Sequence, residues 1–204
     1  MRLILVRHGE TVLNAAGRFS GQLDTPLSAR GRRQVALVGQ CLAATALDAV
    51  VASDLLRARA TAHAIAVHHG LPVALDRNLR ERSFGTWEGA TFAEVSARNE
   101  QLAEQWKADP LTTMPPGGET MQQLYARVVT AFATWQQRFL AHTVVWAVHS
   151  GVIEVVLCYL LQVDLSHRSA FHQHNAAITE LDIQGQGQIA TLTRLNDTCH
   201  LGQW

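Results

Sequence analysis

Three short apolar runs, each cut off by a polar residue, constrain this chain more than anything else in it. Residues 3–6, 49–52 and 144–148 are uninterrupted apolar stretches followed by Arg7, Ser53 and His149. A run without a polar face cannot lie with one side in water. It reads as a strand covered on both faces, the habit of parallel sheets. Helical segments fall between these runs. Ser28 is placed to cap a helix reaching residue 44, and a second spans 55–69 and stops at Gly70-Leu71-Pro72. Residues 119–140 carry an apolar stripe at Met121, Leu124, Val128, Phe132 and Trp135, and residues 151–162 are apolar nearly all round, as in a buried helix. Near the end, 178–183 and 189–195 read as a hairpin joined through Gly185-Gln186-Gly187. The expected fold is a three-layer α/β/α sandwich, its sheet mostly parallel with an antiparallel edge.

Length and composition narrow the partners. A chain of 204 residues reads as a single domain over 1–204. The only marked break, 109–118, holds Pro110, Pro115, Pro116 and a Gly117-Gly118 pair. It reads as a loop, because the material on both sides is needed to complete one sheet. Lys+Arg and Asp+Glu are 17 each, so no basic surplus points to nucleic acid or to an anionic membrane. The apolar-rich, charge-poor composition (48% and 17%) leaves room for a homodimer. Cys41, Cys158 and Cys199 are an odd count without a C-x-x-C spacing, as expected of reduced thiols. Only four apolar residues separate Arg2 from Arg7, too few for a secretory core of about 7–15. A cytoplasmic protein is expected. His63, His68 and His69 on one helix, and His172 with His174, lack the spacing of a zinc site, so no metal or cofactor is expected.

In open α/β sheets, function gathers at the carboxyl ends of the strands. Here those ends read Arg7-His8-Gly9-Glu10-Thr11, Ser53-Asp54 followed by Arg57, and His149-Ser150-Gly151. Two arginines and two histidines would converge on one sheet edge. Guanidinium forks fit phosphate oxygens and stay charged at any working pH. A neutral imidazole beside them can attack phosphorus.

The run from Arg7 to Thr11 with Asn14 resembles the signature of the histidine phosphatase superfamily, the phosphoglycerate-mutase-like proteins. The likeness continues through Arg18-Phe19-Ser20-Gly21-Gln22-Leu23-Asp24, Leu27-Ser28-Ala29-Arg30-Gly31 and Ser53-Asp54-Leu55-Leu56-Arg57-Ala58. Further blocks run from Leu79 through Arg80, Glu81 and Arg82 to Gly89, at Pro116-Gly117-Gly118-Glu119, and at His149-Ser150-Gly151. The resemblance implies that His8 becomes phosphohistidine and that Arg7, Arg57 and His149 hold the phosphoryl oxygens. It implies Asn14 as a further donor and Glu81 as the proton donor to the leaving group. Gln22, Ser150, Gly151 and His200 would complete the substrate site. Ser150 departs from the glycine that many relatives carry after the second histidine. The tail from Leu195 to Gly202, with His200, resembles that of metal-independent phosphoserine phosphatases, which however carry a histidine where this chain has Phe84. Phe84 and Trp87 would suit a leaving group of some hydrophobic character.

The general look is that of the broad-specificity and α-ribazole-phosphate phosphatase branch. Between Glu88 and Gly118, only Arg98 and Lys107 stand against Glu88, Glu94, Glu100, Glu104 and Asp109. A mutase must retain a doubly phosphorylated intermediate and needs more cations than that. Hydrolysis of a small phosphomonoester is therefore expected, ahead of phosphoglycerate-mutase-type transfer or a non-catalytic phosphate-binding role.

Overall fold

The computed structural model describes residues 1–185 and 189–202. Six strands form one sheet: β1 (Arg2–Arg7), β2 (Ala49–Ala52), β3 (Val73–Leu75), β4 (Thr143–Val148), β5 (Ile178–Gln184) and β6 (Ile189–Asp197). Their order is β3-β2-β4-β1-β5-β6. The first four strands are mutually parallel, whereas β5 runs antiparallel to β1 and β6 antiparallel to β5. The turn foreseen at Gly185-Gln186-Gly187 falls largely outside the described residues; the two strands it joins are paired as expected.

The α-helices are α1 (Val12–Ala15), α2 (Ala29–Leu42), α3 (Leu56–Ala66), α4 (Phe92–Arg98), α5 (Glu100–Ala108), α6 (Met121–Arg138) and α7 (Ser150–Leu161). Alternate strand residues feed opposite cores, which is why the strand sequences show no polar face. Leu3, Leu5, Val144, Trp146 and Val148 pack with α6 and α7, through Val128, Phe132, Val152 and Leu157. Ile4, Val6, Val50, Ala52, Val145 and Ala147 pack with α2 and α3, through Val38, Leu42, Ala62 and Ile65. The result is the expected three-layer α/β/α sandwich. No single helix among the described residues is long and apolar enough to cross a membrane.

Several elements were not foreseen. β3 has three residues, too few for a periodic signal. Helices α4 and α5 follow N-caps at Thr91 and Asn99, the first with a capping box through Glu94. They form a small third core in which Trp87, Ala90, Val95 and Ala103 pack with Phe19, Phe84, Phe92 and Trp106. Helix α6 starts two residues later than expected, because Thr120 and Gln123 make the capping box.

The parallel register sets the site. Arg7 lies opposite Val148, and Ala52 lies opposite Ala147. The His8 N–H donates to the Val148 carbonyl (2.9 Å) and the Ser53 N–H to the Ala147 carbonyl (3.3 Å). Three strands thus end at one level, with His8 beside His149.

Candidate active site

His8 is buried, and its ring is fixed at both nitrogens. Nδ1 lies 2.8 Å from the Gly9 carbonyl, which can only accept, and Nε2 takes the Arg57 Nε–H at 3.2 Å. Those two partners together specify the neutral imidazole with its proton on Nδ1 and a lone pair on Nε2. Burial holds the pKa of His8 well below the usual histidine value, with Arg57 and Arg7 adding to the shift. An imidazole in this tautomer is able to act as a nucleophile through Nε2.

Arg57 is fully buried at the start of α3. Its Nη1 donates to the Leu23 carbonyl (2.9 Å) and its Nη2 to the Gly21 carbonyl (2.6 Å), so the loop before α2 holds its fork. Thr61, one turn on, donates to the Arg57 carbonyl (2.8 Å) and accepts from the Gly9 N–H (3.2 Å). It locks α3 to the end of β1. Arg7 Nη1 donates to the Gln173 carbonyl, while its Nε is buried without a partner.

His149 packs edge-on against His8, with ring centroids 5.1 Å apart. It has no exposed surface, and both of its ring nitrogens are buried and unpaired. Burial, then Arg57 and His8, hold it neutral. Unpaired buried polar atoms carry an energetic cost unless a ligand satisfies them. Here a neutral His149, with one N–H to give, and Arg7 Nε are left without partners at the end of the sheet that carries His8, and such donors are what a bound oxyanion requires.

Glu81 reaches this cluster from a segment without helix or strand. Its Oε1 accepts from the Arg82 N–H (2.8 Å) and its Oε2 from the Gly151 N–H (3.3 Å), at the start of α7. A Cβ on Gly151 would lie 2.5 Å from Glu81 Oε1, so this glycine makes room for the carboxylate. The Glu81 carbonyl accepts from Gln22 Nε2 (3.2 Å) and from Arg127 Nη2 (2.9 Å). Arg127 also holds the Asn78 and Arg80 carbonyls and pairs with Glu119. Asp54 and Arg80 form a two-pronged pair, at 2.6 and 2.7 Å, that ties the segment to the end of β2.

The remaining expected residues divide. Asn14 lies at the site wall: its Oδ1 accepts from Thr11 and from Asn175 Nδ2, whose second contact is the His8 carbonyl (3.1 Å). These bonds engage its oxygen and not its amide nitrogen. Gln22 braces Glu81 from behind. The Ser150 hydroxyl, expected in the substrate site, donates to Glu154 (3.0 Å). His200 Nε2 lies 3.1 Å from the Ala176 carbonyl, and the Ala176 N–H reaches the Arg7 and His8 carbonyls. His200 is thus one residue removed from His8. Trp87 is buried in the third core and offers no surface to a leaving group, whereas Phe84 is half-buried at that core's edge with Arg82 over its ring. His172 lies close enough to Arg7 to feel its charge. Among the described residues, no His, Cys, Asp or Glu group converges as a metal site.

Asn175, Arg127 and Glu154 were not singled out as site residues in the sequence. Each acts through a backbone carbonyl or a neighbouring side chain, which leaves no local pattern to read.

The comparisons with known proteins converge with this geometry. The phosphoserine phosphatase 1 of Hydrogenobacter thermophilus is 33% identical over all of this chain and 96% of its own length. The glucosyl-3-phosphoglycerate phosphatase of Mycobacterium tuberculosis is 33% identical over 88% of this chain and 84% of its own. The solved α-ribazole phosphatase of Shigella flexneri superimposes with a TM-score of 0.91 at 30% identity, covering 97% of this chain and 96% of that one. The model of the histidine phosphatase superfamily (branch 1) matches residues 3–198, from the first strand to the tail beside His200, and this chain therefore belongs to that superfamily.

Proposed function

We propose that this chain is a phosphomonoesterase that hydrolyses a small phosphorylated metabolite through a phosphohistidine on His8, without a metal ion. The observation that carries the reading is the His8 ring itself: neutral, its Nδ1 committed to Gly9 and its Nε2 lone pair facing Arg57 and His149. The similar proteins named above act, by their names, on phosphoserine, glucosyl-3-phosphoglycerate and α-ribazole phosphate, all small phosphomonoesters.

In the first step, Nε2 bonds to phosphorus as the ester P–O bond breaks, and Glu81 transfers its proton to the departing oxygen. The Arg57 Nε–H, released from Nε2, turns to a phosphoryl oxygen. Arg7 Nε, Asn14 and His149 serve the other oxygens, where charge spreads in the transition state. In the second step, Glu81 takes a proton from water, the oxygen attacks phosphorus, and the P–N bond breaks to restore His8 and release phosphate. Two arginines supply the positive charge that the phosphoryl group requires, which is why no metal is invoked.

The test is phosphate release from p-nitrophenyl phosphate in excess EDTA, for wild type and His8→Ala. Turnover that resists the chelator and is lost in the variant supports the reading. Loss of wild-type turnover in EDTA removes metal independence, and full activity of folded His8→Ala removes the phosphohistidine.

A further inference from the structure

His8 stands one residue beyond the end of β1, and the donors that reach its carbonyl come from the turn before β5. They are the Ala176 N–H at 3.2 Å and Asn175 Nδ2 at 3.1 Å. The Ala176 N–H is shared with the Arg7 carbonyl, at 3.0 Å. Ala176 is fully buried and left-handed, with a φ of 61°. A residue with a side chain keeps such a backbone only where its surroundings impose it. Here those surroundings include the C-terminal segment. His200 Nε2 lies 3.1 Å from the Ala176 carbonyl, which can only accept, so the ring gives its Nε2–H. Its Nδ1 is left buried without a partner. At the other end of the turn, Asn196 Oδ1 accepts the His174 N–H at 2.6 Å, and Asn196 Nδ2 lies 2.8 Å from His174 Nδ1. Asn196 is itself left-handed, with a φ of 49°. Among the described residues, Gln162 just beyond α7 is the only other non-glycine residue of positive φ. Two of three such positions thus lie in one brace behind His8.

We propose that His200 is a positioning residue for the nucleophile: through Ala176 it fixes the peptide that follows His8, and so the place from which Nε2 attacks phosphorus. The inference rests on the reading of His8 as the nucleophile. The peptide joining His8 to Gly9 is gripped on both edges. Its oxygen is held by the Ala176 turn, and its N–H donates to Thr61 Oγ1 at 3.2 Å. The next carbonyl, that of Gly9, carries the bond to His8 Nδ1. A twist of this peptide therefore moves the Gly9 oxygen and takes the imidazole with it. Thr61 belongs to α3 and needs nothing from the tail, whereas the oxygen edge depends on it. His200 is itself anchored on either side. Leu201 is buried with Val38 and Leu42 of α2, and the Cys199 N–H bonds Asp197 Oδ1 at 2.8 Å. Its bond is to Ala176 and not to His8, so its effect on the reaction is one of placement. Small displacements matter there, since a misplacement of about 1 Å can cost on the order of 10²-fold in rate.

The experiment compares His200→Leu and His200→Gln with wild type in kcat/KM for p-nitrophenyl phosphate and in inhibition by vanadate and by inorganic phosphate. Vanadate accepts the attacking nitrogen as a fifth ligand and so copies the transition state, whereas phosphate copies the bound product. In His200→Leu, kcat/KM should fall on the order of tenfold, and vanadate should bind weaker by about the same factor while phosphate binds as before. Phenyl phosphate should lose as much as p-nitrophenyl phosphate, because the brace acts on the attacking side and not on the leaving group. His200→Gln, whose amide N–H can stand in for Nε2–H, should recover most of both losses. Asn196→Gly accepts the left-handed backbone but gives up both contacts to His174. It should show the same pattern more weakly, and it serves where His200→Leu does not fold. A lowered Tm with kcat/KM and vanadate affinity unchanged makes the tail a stability element alone and overturns the inference. Equal weakening of vanadate and phosphate, or a His200→Gln no better than His200→Leu, overturns it too. His8→Ala run alongside separates the two readings. If its turnover is lost while His200→Leu keeps the wild-type kcat/KM, only this inference falls. If folded His8→Ala keeps full turnover, the nucleophile assignment falls with it.

Discussion

The two halves of the site are held by different means. His8, His149 and Arg57 sit at or just beyond strand ends, and the sheet register itself brings the two histidines together. Glu81 comes from residues 76–91, where the only regular structure is two single-turn 3-10 segments, Arg77–Leu79 and Gly85–Trp87. Its position depends on side chains that grip backbone: Arg127 on three carbonyls, Arg82 on the Glu119, Pro110 and Thr113 carbonyls, and Glu88 on the Gln22 and Phe84 N–H groups. In the proposed reaction the sheet half serves the step that every substrate shares, attack on phosphorus. The clamped half serves the proton transfer, whose importance depends on the leaving group.

The sharpest way to break the comparison is in the sheet half. Arg57→Lys keeps a cation but cannot reproduce a fork that reaches His8, Gly21 and Leu23 at once. Turnover of p-nitrophenyl phosphate should fall on the order of 10³-fold in a protein whose circular dichroism is unchanged. A loss below about tenfold would show that Arg57 only fills space.

Gly151→Ala tests the seam between the halves. Its Cβ would stand 2.5 Å from Glu81 Oε1 and 3.2 Å from Leu124 Cδ2, so the carboxylate must shift while His149 stays in register. Phenyl phosphate turnover should fall roughly 10²-fold, with a much smaller loss for p-nitrophenyl phosphate. Equal losses on both esters would place the damage in the phosphate pocket instead. Arg127→Gln probes the clamped half alone. It removes the grip on the Asn78, Arg80 and Glu81 carbonyls and leaves a partly buried Glu119 with the Ser83 N–H but without its ion-pair partner. Urea unfolding should show a loss of about 2–4 kcal/mol, with turnover of phenyl phosphate down no more than about tenfold.

How far the sequence could be read follows the same division. The strand ends were legible because burial on both faces forces unbroken apolar runs, and the polar stops then mark the chemistry: Arg7-His8, Arg57 and His149. Glu81 was reachable only through the resemblance, since its placement depends on Arg127, 46 positions away in the chain. Ser150 was legible as an odd residue but not as the partner of Glu154, because one hydroxyl beside a phosphate site has two acceptors open to it. Phe84 and Trp87 were read as surface for a leaving group. The residues that bury Trp87 come from three separate segments: Phe19 from the loop after α1, and Phe92 and Trp106 from α4 and α5, helices too short to announce themselves.

The smallest effect concerns what the seam between the halves does to stability. Glu154 has its folded pKa raised to about 7 from an ordinary 4.5, with burial the main cause and Glu81 the next. For a carboxyl shifted upward, the folded state binds the proton more tightly than the unfolded state does. Its contribution is therefore most favourable below the unfolded pKa, and it declines as pH rises through 4.5 toward the folded value near 7. Glu154→Gln carries no such dependence. The variant should gain on wild type in Tm as pH goes from 4 to 8, by roughly 2–4 °C for each kcal/mol relieved in a domain of this size. A parallel pair of Tm curves across that range would mean that Arg168 and Ser150 already neutralise the buried charge. The seam would then cost the fold nothing, and proximity of the two carboxylates would be no more expensive to hold than the sheet register that places His8 beside His149.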